Sequence, residues 1–148
     1  MTTGARPSRI LVVTDHAVPS EPLLAEVSRR ARAADVQIRL VVLNPARAEL
    51  HLLHPERHDK AAEAEATLRS ALPDMQLAAG APIVGSVSIR HDPMDAIEET
   101  IFDEPVDEII LALREHHLAI LLHQDLPHRL SYLDIPVSHV EEAGISNA

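Results

Sequence analysis

Asp107-Glu108-Ile109-Ile110-Leu111-Ala112-Leu113, running into Arg114-Glu115-His116-His117, is the stretch on which the fold turns. Its centre, Ile109-Ile110-Leu111, is a short unbroken apolar run, the pattern of a strand buried on both faces of a parallel sheet. In a chain that alternates strands with helices, the loop at such a strand's carboxyl end is where glycines let bare backbone amides close around a phosphate. No glycine lies between Gly85 and Gly144. The architecture is therefore legible, while its usual anion grip is rebuilt or missing.

The same alternation extends outward in both directions. Ile83-Val84-Gly85-Ser86-Val87-Ser88-Ile89 reads as a third strand, and Asp92-Pro93 caps a helix whose Met94, Ile97 and Ile101 face inward. Ile10-Leu11-Val12-Val13 is a first buried strand. Ser20-Glu21-Pro22 then supplies a helix start, with a serine cap, an acid in the first turn and a proline where no amide is needed. Leu23, Val27 and Ala31, or Leu24, Val27 and Ala34, form its inward stripe, and Arg29, Arg30 and Arg32 mark a solvated face. Residues 38–43 form a second strand stopped by Asn44-Pro45. After a polar, histidine-bearing connection, Ala61, Ala64, Leu68 and Leu72 predict a helix that ends at Pro73. Leu126, Leu130 and Leu133 predict a fourth helix, and residues 137–140 a fifth strand. Right-handed crossovers turn this β-α-β-α-β-α-β-α-β order into an open sheet of five parallel strands, the first strand central, with helices on both faces. Residues 141–148 read as a loose C-terminal tail.

Composition sets the outer bounds. With 148 residues, 46% hydrophobic and 24% charged, the chain has the material for one core, built from Leu, Ile, Val and Ala because Phe102 and Tyr132 are its only aromatic residues. No stretch approaches the ~20 apolar residues of a membrane span. Met1-Thr2-Thr3-Gly4-Ala5-Arg6-Pro7 lacks an apolar signal region, which points to a cytoplasmic protein. The absence of cysteine agrees with a reducing compartment and excludes disulfides, thiol catalysis and thiolate metal sites. A formal charge of −10 would repel a phosphate backbone, so nucleic acid is not an expected partner.

Over about residues 8–140 the chain resembles the universal stress proteins. The first strand runs into Thr14-Asp15 and a serine-capped helix, as that family's does. His91-Asp92-Pro93-Met94-Asp95-Ala96-Ile97 is similar to its Gly-Asp-Pro-x-x-x-Ile turn, and Asp107-Glu108-Ile109-Ile110-Leu111-Ala112 to its Asp-Leu-Ile-Val-Val-Gly strand. Ile120-Leu121-Leu122-His123-Gln124 with the later Pro136-Val137 resembles its Leu-Leu-Leu-Gly-Ser and closing Pro-Val. The resemblance implies a Rossmann-like three-layer α/β/α sandwich of the adenine nucleotide alpha hydrolase-like type, with strand order 3-2-1-4-5, and a homodimer paired through the C-terminal strand. The sequence of that edge agrees, since Ile135-Pro136-Val137-Ser138-His139-Val140 has no lysine or glycine to deter pairing.

The departure from the family is equally specific. Its ATP-binding members carry Gly-x-x-Gly, nine residues, and Gly-Ser or Gly-Thr; the resemblance places the three glycines at Ala112, Glu115 and His123, with two residues deleted between the last two, and replaces the hydroxyl by Gln124. A carboxylate at Glu115 would face the phosphates. Asp15, whose family counterpart lies by the adenosine, and Val42, which matches a backbone position at the adenine, are kept. These positions, with Arg114, form the implied but degenerate cofactor pocket, and ATP or another adenine nucleotide is disfavoured as a cofactor.

The ten histidines raise a metal reading, but no His-Glu-x-x-His pattern occurs, and Pro55 interrupts the helical spacing of His51, His54 and His58. His116, His117, His123 and His128 surround the altered loop and read as exposed polar residues of a connecting segment. No Gly-x-Ser-x-Gly elbow is present, and Glu98-Glu99 and Asp103-Glu104 are adjacent acids that point apart, so no catalytic residue is assigned. The preferred reading is a non-catalytic stress-response or regulatory protein. The alternative is a binding protein or weak hydrolase for another nucleotide, anion or metal, with Arg114, His116, His117 and His123 in the same crevice.

Overall fold

The computed structural model describes residues 6–43, 57–88, 90 and 92–140, with side chains of the second helix described from Ala61 onward. Five strands, β1 (Ser8–Thr14), β2 (Val36–Val42), β3 (Val84–Val87), β4 (Glu108–Ala112) and β5 (Val137–His139), form one sheet. Its order is β3-β2-β1-β4-β5, and every neighbouring pair is parallel, so the sheet is Rossmann-like with the first strand central. Between them run α1 (Glu21–Ala33), α2 (Arg57–Ala79), α3 (Pro93–Asp103), α4 (Glu115–His123) and α5 (Leu126–Ser131).

Alternation along the strands divides the core in two. Ile10, Val12, Ile38 and Leu40 point to the face covered by α1 and α2, where they meet Leu23, Val27, Ala71 and Met75. Leu11, Val13, Val41 and Leu111 point to the other face and meet Met94, Ile97 and Ile101 of α3, Leu121 of α4 and Leu126 and Leu130 of α5. Each such aliphatic side chain contributes about 1.5–3 kcal/mol on full burial, so both faces of the sheet must stay covered. The two foreseen caps are in place. Ser20 Oγ accepts the Leu23 amide at 3.2 Å and Asp92 Oδ1 accepts the Met94 amide at 3.0 Å.

Four expectations need correction. The second helix does not stop at Pro73 but runs through it to Ala79, because Ala71 and Met75, on either side of the proline, are both fully buried while the ring faces solvent. Beyond it, Gln76 Oε1 accepts the Ile83 amide at 3.0 Å and Gly80, at φ 70°, closes the helix. Residues 115–123 are a helix rather than a loop, so the chain carries two helices between β4 and β5. Leu133 faces solvent beyond α5 instead of extending its inward stripe. Ala34 is exposed, which selects the Leu23 and Val27 stripe for α1, and Arg30 is not part of a solvated face. Its guanidinium forks onto Glu108 of β4 and also meets Glu26, and this hydrogen bonding, outweighing the burial that opposes the charge, raises its pKa further. The turn residues His91 and Ile89, and the tail 141–148, lie outside the described residues.

Candidate functional site

Strand order places a topological switch between β1 and β4: from β1 the chain winds toward β3, and from β4 toward β5. Crevices at the carboxyl ends of strands at such a switch are where open α/β sheets bind ligands. Both strands reach this edge with a residue that the sequence had singled out. Thr14 ends β1, its Oγ1 donating to the Ala112 carbonyl at the end of β4 (3.0 Å) and accepting the His16 amide (3.2 Å). That link pins the two strand ends together and turns Asp15 inward, leaving its side chain only 4% exposed.

A carboxylate so buried needs partners, and Asp15 has three. The Arg114 amide, the first after Leu113, lies 3.2 Å from both carboxylate oxygens. His117 Nδ1, one turn into α4, lies 2.6 Å from Oδ2, and His16 Nε2 lies 3.2 Å from Oδ1. Arg114 is the N-cap residue of α4 and offers no side-chain cap, so Asp15 puts its negative charge at the helix end whose dipole favours it. The anion at this helix terminus is thus supplied by the protein. The His116 ring lies against that of His117, with centroids 5.5 Å apart.

The positions implied by the resemblance divide into two groups. Asp15, Ala112 and the backbone of Arg114 meet at the switch; Glu115 follows as the exposed first residue of α4. Val42 ends β2 fully buried, its carbonyl accepting the Ser88 amide at 3.0 Å. His123 and Gln124 sit at the far end of α4, where Gln124 Nε2 lies 3.4 Å from Asp92 Oδ2. Among the described residues no hydrogen bond or ion pair joins either of them to Asp15. His117 is the residue sequence reasoning misread: it is buried, not an exposed residue of a connecting segment. The signal for it was helical spacing, since His117 and Leu121 are four apart and both face inward. His116, His123 and His128 are exposed, as read.

Among the described residues no group of three or more histidines and carboxylates could hold a metal, and His51 and His54 lie outside them. No described helix is long and apolar enough to cross a membrane.

A doubly wound parallel sheet with order 3-2-1-4-5 defines a Rossmann-like α/β class. Within that class the sequence profile of the universal stress protein family matches residues 7–126, and the chain belongs to this family. No curated protein sequence matches it. Two solved structures from Archaeoglobus fulgidus share the fold. A universal stress protein is 18% identical with a TM-score of 0.60, over 90% of this chain and 93% of its own. A structure of the universal stress protein in complex with dAMP is 16% identical with a TM-score of 0.61, over 90% of this chain and 98% of its own.

Proposed function

We propose that the protein is a non-catalytic stress-response or regulatory member of its family that does not hold ATP through a phosphate loop. The observation that carries this reading is the Asp15 carboxylate on the Arg114 amide, because the amide after β4 that would donate to a phosphate oxygen already donates to an internal anion. An incoming polyphosphate would have to displace a buried, hydrogen-bonded carboxylate and then pack beside Glu115. The replacement of glycines by Ala112, Glu115 and His123, and of the hydroxyl by Gln124, supports the same reading. The protein then works as a cytoplasmic homodimer of one domain, residues 8–140, joined through β5. The test is calorimetry with ATP and dAMP. The expected result is no binding at the micromolar level, about −8 kcal/mol, that an intact phosphate loop can supply. Tight saturable binding of ATP overturns the proposal.

A second reading rests on the Asp15–His117 pair. A carboxylate bound to Nδ1 orients an imidazole and leaves Nε2 as the basic nitrogen, which is the orienting half of a hydrolytic dyad. On this reading the crevice takes another nucleotide or an anion and turns it over weakly. Hydrolysis of a nucleotide panel that is abolished in His117→Asn would favour it; identical background rates in both proteins would exclude it.

A further inference from the structure

At the opposite, amino-terminal edge of the sheet, a cavity of about 220 Å³ opens between β1, β2, the start of β3 and the segment that follows α3. It is independent of the switch-point site. The register sets Arg9 of β1 beside Gln37 of β2, and Arg39 beside Leu11 of β1 and Val84 of β3. Arg9 and Arg39 therefore rise from the same face of adjacent strands, two positions apart along them. Arg39 stands between Ile38 and Leu40 in β2, with its side chain only 20% exposed. A hydrophobic residue there would pack between Leu11 and Val84 with no polar group to satisfy.

The guanidiniums keep donors in reserve. Arg39 donates from one terminal nitrogen to Glu104 Oε1 at 3.0 Å, while its buried Nε has no hydrogen-bond partner among the described residues. Among the described residues the Arg9 guanidinium makes one hydrogen bond, to the Pro105 carbonyl, at a long 3.4 Å. Each guanidinium has five N–H groups, and a buried one without an acceptor is unfavourable. Asp107, nearby, is already committed to the Arg9 amide and the Arg6 side chain. The cavity walls therefore carry two cations against one carboxylate, Glu104, and the remaining surface is largely aliphatic.

We propose that this cavity binds a small monocarboxylate, its carboxylate held by Arg39 and Arg9 and its apolar body lying against Val84 and Val106. The surplus of one positive charge matches one carboxylate, whereas a phosphate monoester, with about 1.5 to 2 negative charges, would be repelled by Glu104. The terminal guanidinium nitrogens of Arg39 and Arg9, which Glu104 and the Pro105 carbonyl leave with N–H groups to spare, take the carboxylate, and planar guanidinium and carboxylate groups pair bidentately.

The probe is benzoate, titrated into the full chain and followed by NMR at the Arg39 Nε–H and the Val84 amide, with benzamide as the neutral isostere. Saturable shifts are expected with benzoate, with a dissociation constant of about 1 mM or tighter, and none with benzamide. Arg39→Gln is expected to weaken binding about tenfold or more. Glu104→Gln, which removes the competing carboxylate, is expected to tighten it, a gain that a misfolded variant cannot produce. Equal responses to benzamide, binding unchanged in a folded Arg39→Gln protein, a Glu104→Gln variant that binds no better, or inorganic phosphate binding more tightly than benzoate would each overturn the proposal. So would shifts confined to Arg114 and His117 at the other edge.

Discussion

Replacing Asp15 by alanine tests whether its carboxylate is the internal anion of the switch point. The side chain is 4% exposed and His117, its ring partner, 8% exposed, so water cannot readily replace what is lost. Removing the acceptor strands the His117 ring nitrogen, at about 1–3 kcal/mol for a buried unsatisfied group, and strips the Arg114 amide of its partner. The amide belongs to an exposed residue and regains water, so its loss is the smaller; together the two losses come to about 3 kcal/mol. For a chain of this length that is a fall in Tm of about 6–12 °C. Urea denaturation and calorimetric melting measure it directly. Asp15→Asn keeps the shape but turns an amide N–H toward one of the donors, and should fall between alanine and the natural protein. His117→Ala should add less than its single effect to Asp15→Ala, since the residues share one interaction. A loss below about 0.5 kcal/mol, the level of an ordinary surface change, would refute the reasoning. A second readout bears on function: with the carboxylate gone, the Arg114 amide should respond to added sulfate in NMR, and should not in the natural protein. A response in both would mean that Asp15 does not occupy the anion position.

Two further outcomes follow from other parts of the molecule. Burial acts to push the Glu26 carboxyl up, but the hydrogen bonds and charges of Arg29 and Arg30 outweigh it and hold its pKa below the usual 4.5. A carboxylate with a depressed folded pKa stabilises above its unfolded value and loses that contribution as the pH falls through the folded one. Glu26→Gln should therefore be less stable than the natural protein at pH 7, with the difference shrinking below about pH 4.5; a difference that stays constant or grows in acid would contradict it. At the edge of the sheet, Val137 is half-buried on β5, and Ser138 and His139 beside it are exposed. A two-fold contact there sets each copy against itself, so Val137→Asp should shift a dimer toward monomer or aggregate in light scattering at several concentrations. A natural protein that is monomeric throughout, or a dimer indifferent to the change, would move the interface elsewhere.

Local chemistry made most of the fold legible. Apolar runs such as Ile10-Leu11-Val12-Val13 and Ile109-Ile110-Leu111 have one solution in an alternating chain, a parallel strand covered on both faces. Ser20 and Asp92 marked helix starts because a cap acts on amides two or three residues away and needs nothing distant. Long-range packing decided the rest. Pro73 is a helix breaker by propensity, yet the burial of Ala71 and Met75 against the sheet carries α2 past it. The segment 115–123, with adjacent histidines at its start, reads as a loop until Leu121 is seen locked into the core shared by α3 and α5. At the site, the sequence determined that no glycine follows β4 before Gly144 and that Asp15 stands at the end of the first strand. Only tertiary structure could bring that carboxylate to the Arg114 amide, 99 residues away, and to His117, 102 residues away. A carboxylate's partners depend on which strand ends the sheet brings together, and that is a property of the whole topology.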